Sequence, residues 1–162
     1  MSNQQELVIK LVLDAWNGQV NRATKFFAEL TDEQLKNEVA PNRNSGVYLL
    51  GHLSAVHDGM FPLLGLGEKL YPELENIFIK NPDNAEIKKP SIEFLRNCWK
   101  LVNEKLSQEF EKLSLAEWLQ KHTAVSEEDF AKEPHRNRLN VLISRTNHIA
   151  YHLGQLAFLK SK

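Results

Sequence analysis

Apolar side chains recur every three or four positions in four long stretches of the chain, with segments rich in proline, glycine and asparagine between them. That period marks helices that bury one stripe and solvate the other. The first stretch runs from about Gln5 to Leu30, where Val12, Trp16, Ala23, Phe27 and Leu30 keep one phase. Gly18 costs about 1 kcal/mol of helix propensity relative to alanine. The apolar phase continues through it, so a single helix is expected. Thr31-Asp32-Glu33-Gln34 has the form of a capping box and should restart a short helix, which Pro41 ends. The second long helix is expected from a cap at Asn44 or Ser45 to Phe61-Pro62. The third follows Pro90, with Ser91 as cap and Leu95, Cys98, Val102, Leu106, Phe110 and Leu113 as its stripe. The fourth runs from about Arg138 to Leu159.

The connections carry further signals. Residues 64 to 90 contain Gly65, Gly67, Pro72, Pro82 and Pro90, with room for one turn of helix between Leu74 and Ile79. A connection of that length suits a crossover rather than a tight hairpin. Ser114-Leu115-Ala116-Glu117 is a second capping box, and Ser126-Glu127-Glu128-Asp129 predicts another short turn that Pro134 closes. No internal repeat, low-complexity tract or dividing linker is visible. The expected architecture is all-α: a four-helix bundle with a long crossover connection and short helices in the connections, forming one domain over residues 1–162.

Composition narrows the function. The chain has 162 residues, 42% hydrophobic and 25% charged, which is ordinary for a globular protein. Twenty Lys and Arg balance 21 Asp and Glu. No basic stripe is present, so a nucleic-acid partner is not expected. No apolar run approaches a membrane span, and the polar start Met1–Glu6 has no secretory pattern. The single cysteine, Cys98, cannot form an internal disulfide and fits a reducing, cytoplasmic setting. Its place within a stripe marks it as a small buried hydrophobe rather than a reactive thiol.

The chemistry-bearing residues are histidines. His148 and His152 are four apart and stack one turn apart on the last helix, with Cβ atoms roughly 5–6 Å from each other. Two imidazoles at that spacing can reach one divalent cation. Their face also carries Val141, Arg145, Gln155 and Leu159 and borders the apolar stripe. In the second long helix, His52 faces apolar and small residues, with Ser45, Tyr48, Leu49, Val56 and Gly59 within about 60° of it. His57, about 140° further round, cannot share that face. His122 and His135 fall in an irregular region and read as solvated loop residues. Three neutral imidazoles would suit zinc, nickel or another late first-row divalent ion. Such a site keeps its full positive charge and an open position, which favours water of lowered pKa or a thiolate. There is no His-Glu-x-x-His, no Glu-x-x-His and no Gly-rich phosphate loop.

His52-Leu53 followed by His148-x-x-x-His152-x-Gly154-Gln155-Leu156 resembles the DinB/YfiT-like superfamily. The likeness is to the DinB-like branch that includes bacillithiol transferases. It covers nearly the whole chain in helix order and spacing. Leu153 departs from it, standing where many members carry a polar or basic residue. The resemblance implies a four-helix bundle with a long crossover and a divalent metal held by His52, His148 and His152. Gln155 is the candidate to hydrogen-bond a ligand imidazole or a bound water. Arg145 is the candidate to attract an anionic substrate group, Tyr48 is a further neighbour of the site, and Gly154 is expected to admit a neighbouring helix. The implied activity is thiol S-transferase-like: a low-molecular-weight thiol, activated by the metal, attacks an electrophile. A metal-dependent hydrolase and a non-catalytic, stress-related metal-binding bundle remain the alternatives. A small-molecule substrate is expected, and a homodimer is compatible with the resemblance.

Overall fold

Short polar caps decide where the helices begin. The computed structural model describes residues 2–161. Helix α1 (Ser2–Glu29) ends just before Thr31, which caps α2 (Asp32–Lys36) through the expected capping box with Gln34. Ser45 caps α3 (Gly46–Asp58), which is followed by the single turn α4 (Met60–Leu63). The crossover carries α5 (Glu73–Phe78) and leads to Ser91, the cap of α6 (Ile92–Phe110). Ser114 and Ser126 cap α7 (Leu115–Trp118) and α8 (Glu127–Lys132). Asn137 caps α9 (Arg138–Leu156), which tightens into a 3-10 turn over Ala157–Ser161. Each of these Ser, Thr and Asn caps accepts a backbone N–H of the first turn, a group that no carbonyl of the helix can satisfy. Only isolated bridges, and no strands, occur among the described residues.

Two boundaries differ from expectation. The second long helix is interrupted at Gly59 instead of running on to Phe61-Pro62. Proline has no N–H, so Pro62 cannot donate to the carbonyl of Asp58, and the ladder breaks one turn earlier. At the C-terminus the α-helix stops at Leu156, and the last turn winds more tightly, as final turns often do.

Ring contacts fix the directions of the four long helices. Trp16 meets Phe110 at 6.0 Å and Phe27 meets Trp99 at 5.5 Å between centroids, so α1 and α6 are antiparallel. Ile9 and Leu139 line one cleft at one end, and Lys160 pairs with Glu29 at 2.8 Å at the other, so α1 and α9 run parallel. Gly46 packs on Leu159 while His52 meets His148, so α3 and α9 are antiparallel. Helices α3 and α6 therefore run the same way, which requires the crossover between them. One continuous core, with Trp16, Phe27, Leu49, Leu53, Leu106 and Leu156 buried, fills the space between the four.

The crossover is fastened rather than loose. The Asp58 carboxylate, buried at the end of α3, accepts the backbone N–H of Leu70 at 2.7 Å and of Tyr71 at 2.9 Å. The N–H of Ser45 donates to Asp83 at 2.6 Å, and the Tyr48 hydroxyl donates to the Asn81 carbonyl at 2.7 Å. The bonds accepted by the Asp58 and Asp83 carboxylates are charge-assisted and among the stronger ones available. They hold α5 against α3.

Candidate metal centre

Three imidazoles converge where α3 and α9 face each other. Nε2 of His148 lies 3.2 Å from Nε2 of His52 and 2.9 Å from Nε2 of His152. One ligand atom from each of the three lies within 4.8 Å of the other two. His148 and His152 meet because they sit one turn apart on α9. His52 joins them because the antiparallel packing of α3 brings its outward face to that height. A tetrahedral site with metal–nitrogen bonds of about 2.0–2.1 Å has nitrogen–nitrogen edges of about 3.3–3.4 Å. The two observed separations are close to that edge.

Neighbouring oxygens orient two of the rings. His52 donates Nδ1–H to the Phe78 carbonyl at 2.8 Å. His152 donates Nδ1–H to Oε1 of Gln155 at 2.7 Å. A carbonyl oxygen can only accept, so each contact places the ring proton on Nδ1 and leaves the Nε2 lone pair free. That is the tautomer a metal ligand needs. Nδ1 of His148 is buried and has no partner. Gly51 makes the Phe78 contact possible. A Cβ at Gly51 would lie within 2.6 Å of Cδ1 of the Phe78 ring, which is fully buried and has nowhere to retreat.

The electrostatics keep all three rings neutral. Burial lowers the pKa of His148 to about 4, with further lowering from His152, His52 and Arg145. Burial also lowers His52 and His152, against the raising effect of the Phe78 and Gln155 hydrogen bonds. Lone pairs rather than protons therefore fill the centre near neutral pH. The donor set, the tautomers and the spacing together fit a divalent cation. They do not distinguish zinc from nickel, since both accept neutral imidazole.

The other candidate residues separate clearly. Gln155 touches His152, as described. Arg145 is half-buried one turn before His148, and its charge acts on His52, His57 and His148. Tyr48 stacks on the His52 ring at 6.1 Å, but its hydroxyl is committed to the Asn81 carbonyl, so it supports the ring rather than facing the centre. Gly154 is exposed, and nothing lies within 4 Å of where its Cβ would be, so it admits no neighbouring helix within this chain. His135 is exposed, as expected, whereas His122 is half-buried with Nδ1 unpartnered. Cys98 is fully buried, and burial pushes its thiol up to about 12, so it is inert at neutral pH.

Sequence reasoning misses two contributors. The Phe78 carbonyl lies 26 positions from His52 and carries no side-chain signal. The Asn103–His57 pair, which fills the core beside the centre, joins two helices 46 positions apart. No local pattern encodes either partnership.

Comparison with known proteins agrees with this picture. The family model of the DinB superfamily matches residues 15–156, a span that holds all three histidines and every long helix except the first half of α1. No curated protein matches the chain. No helix among the described residues is long and apolar enough to cross a membrane.

Proposed function

The chain belongs to the DinB superfamily, and from that membership and the three-histidine centre we propose that it is a metal-dependent enzyme acting on a small molecule. The reading favoured is thiol S-transfer. The observation that carries it is a set of three neutral nitrogen ligands with no carboxylate among them. His52, His148 and His152 would hold a divalent ion, which would supply a Lewis acid of undiminished charge able to lower the pKa of a bound thiol.

The chain's own residues perform the remaining tasks. The Phe78 carbonyl and Gln155 hold the His52 and His152 rings so that their Nε2 atoms stay aimed at one point. Burial keeps those nitrogens unprotonated. In the proposed reaction the thiol proton passes to solvent. The sulfur lone pair then forms a bond to an electrophilic carbon as the carbon–leaving-group bond breaks. Among the described residues no carboxylate acts on the three rings, and the unpartnered Nδ1 of His148 carries the ring proton when Nε2 is the ligand atom, so it is not a base; transfer from an already ionised sulfur needs none. Hydrolysis, the runner-up, gains from a general base beside the attacking water. That difference favours the thiol.

The test uses tag-free protein loaded with cobalt. A sulfur-to-metal charge-transfer band on adding a simple thiol such as 2-mercaptoethanol is the expected result. Turnover of an activated ester in the absence of any thiol band would favour the hydrolase instead. Protein that takes up no metal at all would favour a non-catalytic bundle.

A further inference from the structure

The charge around the centre is unbalanced. Among the described residues, four arginines are partly buried: Arg96, Arg136, Arg138 and Arg145. Arg96 pairs with Asp32 at 2.8 Å, and Arg136 pairs with Glu133 at 3.2 Å. The charge of Arg138 is felt by Glu117, whose backbone carbonyl it also contacts at 3.3 Å. Arg145 alone of the four has no ion pair and no hydrogen bond among the described residues; its Nε, like that of Arg138, is buried without a partner. Among the described residues no carboxylate acts on Arg145, His52, His57, His148 or His152; the charged and hydrogen-bonding groups that act on the four histidines are one another, Arg145, the amides of Asn103 and Gln155 and the Phe78 carbonyl.

A desolvated guanidinium without a counter-ion is costly to hold. Here it stands one turn from a nitrogen cluster suited to a divalent cation, which would add two more positive charges. Such a site is complementary to a ligand that brings its own negative charge. Guanidinium also has a planar fork that matches a carboxylate in two parallel hydrogen bonds, a geometry a lysine does not offer.

We propose that Arg145 docks a carboxylate carried by the small molecule that occupies the three-histidine centre, so that the ligand binds at two points: one end at the histidine cluster, the other on the α9 guanidinium. The proposal refines the thiol reading to a thiol that also bears a carboxylate. Arg145 thereby sets specificity, selecting acidic substrates over neutral ones of the same length.

The experiment compares 3-mercaptopropionate with 3-mercaptopropan-1-ol, which differ only in the carboxylate. Binding to the cobalt-loaded protein is read from the charge-transfer band. Binding to the zinc-loaded protein is read from the side-chain Nε–H resonance of Arg145 by nuclear magnetic resonance. One charge-assisted interaction corresponds to about tenfold or more in affinity. Wild type should therefore prefer the acid by at least about tenfold, and only the acid should move the Arg145 resonance. Arg145→Met should bring the acid to the level of the alcohol, leave the alcohol within about twofold, and keep the cobalt ligand-field spectrum. Arg145→Lys should recover part of the preference. Equal binding of the two thiols by wild type overturns the proposal, as does a preference that survives in Arg145→Met. If neither thiol gives a band, the thiol reading fails on its own, and propionate is titrated into the metal-free protein. A shift of the Arg145 resonance with propionate then upholds the docking role, and an unmoved resonance removes it.

Discussion

His52 and His57 lie five residues apart on α3, and each donates Nδ1–H to an oxygen, at 2.8 Å to Phe78 and 2.7 Å to Asn103. Their Nε2 atoms have different surroundings. That of His52 meets two other imidazole nitrogens at a half-buried edge. That of His57 is sealed in the core without a partner, between the rings of Trp16 at 4.7 Å and Trp99 at 4.9 Å. Both rings are held neutral by burial, His57 down to about 3. Burial and a fixed tautomer therefore do not by themselves make a candidate metal ligand. Convergence of lone pairs from separate elements does.

The sharpest way to break that contrast is to remove one ring from each environment. His148→Ala should reduce bound metal at least about a hundredfold in affinity, more than loss of an outer partner would. Elemental analysis of tag-free protein measures it. His57→Leu should keep full metal stoichiometry while costing about 1–3 kcal/mol of stability, because Oδ1 of Asn103 loses its donor in the core. If His57→Leu also empties the centre, the two environments are one site and the contrast is wrong.

A smaller effect should follow from Gly51→Ala. The added methyl pushes on the buried Phe78 ring, and overpacking of this kind costs about 1–3 kcal/mol. Chemical denaturation reads that cost. Metal affinity should fall alongside it, since the same residue's carbonyl orients His52. A variant with unchanged affinity would show that the carbonyl contact contributes nothing to the centre.

Gln155→Leu removes the acceptor of His152. Metal affinity should drop about tenfold, at the lower end for outer partners of ligand histidines. Competition with a chelator gives the number, and unchanged competition excludes the role.

The mildest change concerns acid stability of the metal-free protein. The folded pKa of His57, about 3, lies below its ordinary value of 6.5. The unfolded chain therefore takes up a proton that the folded chain refuses. This stability is intact above pH 6.5 and declines as the pH falls from 6.5 towards 3. His52, His148 and His152, also lowered, act in the same direction. Denaturant midpoints across this range should decline less steeply in His57→Leu than in wild type. Parallel curves would contradict the pKa assigned to His57.

What the sequence discloses follows the range of the interaction concerned. The Thr31–Gln34 and Ser114–Glu117 capping boxes form as read, because a cap and its partner are three residues apart. His148 and His152 could be paired for the same reason. His52 needed the resemblance in addition to its small-residue face, since its meeting with α9 is set by antiparallel packing. The interruption at Gly59 was within reach, as the missing N–H of Pro62 removes a bond four residues back. Gln155 could be named as a partner of a ligand imidazole because it lies three residues from His152. The oxygen that aims His52 was not legible, since Phe78 acts through its backbone carbonyl and carries no side-chain signal. The isolation of Arg145 was hidden too, because the lack of a counter-ion is a property of every element around it.

The fastened crossover has a practical consequence. Long surface connections are where truncation, insertion and proteolytic nicking are usually tolerated. Here the stretch from Gly65 to Pro90 supplies the carbonyl behind His52, and Asp58 and Asp83 anchor it at either side. A single cut within it would free Phe78 and let the His52 ring rotate away with the helices still folded. Limited proteolysis in that span should therefore scatter the three-histidine cluster before it unfolds the protein, which makes the most dispensable-looking segment the brace on which that cluster depends.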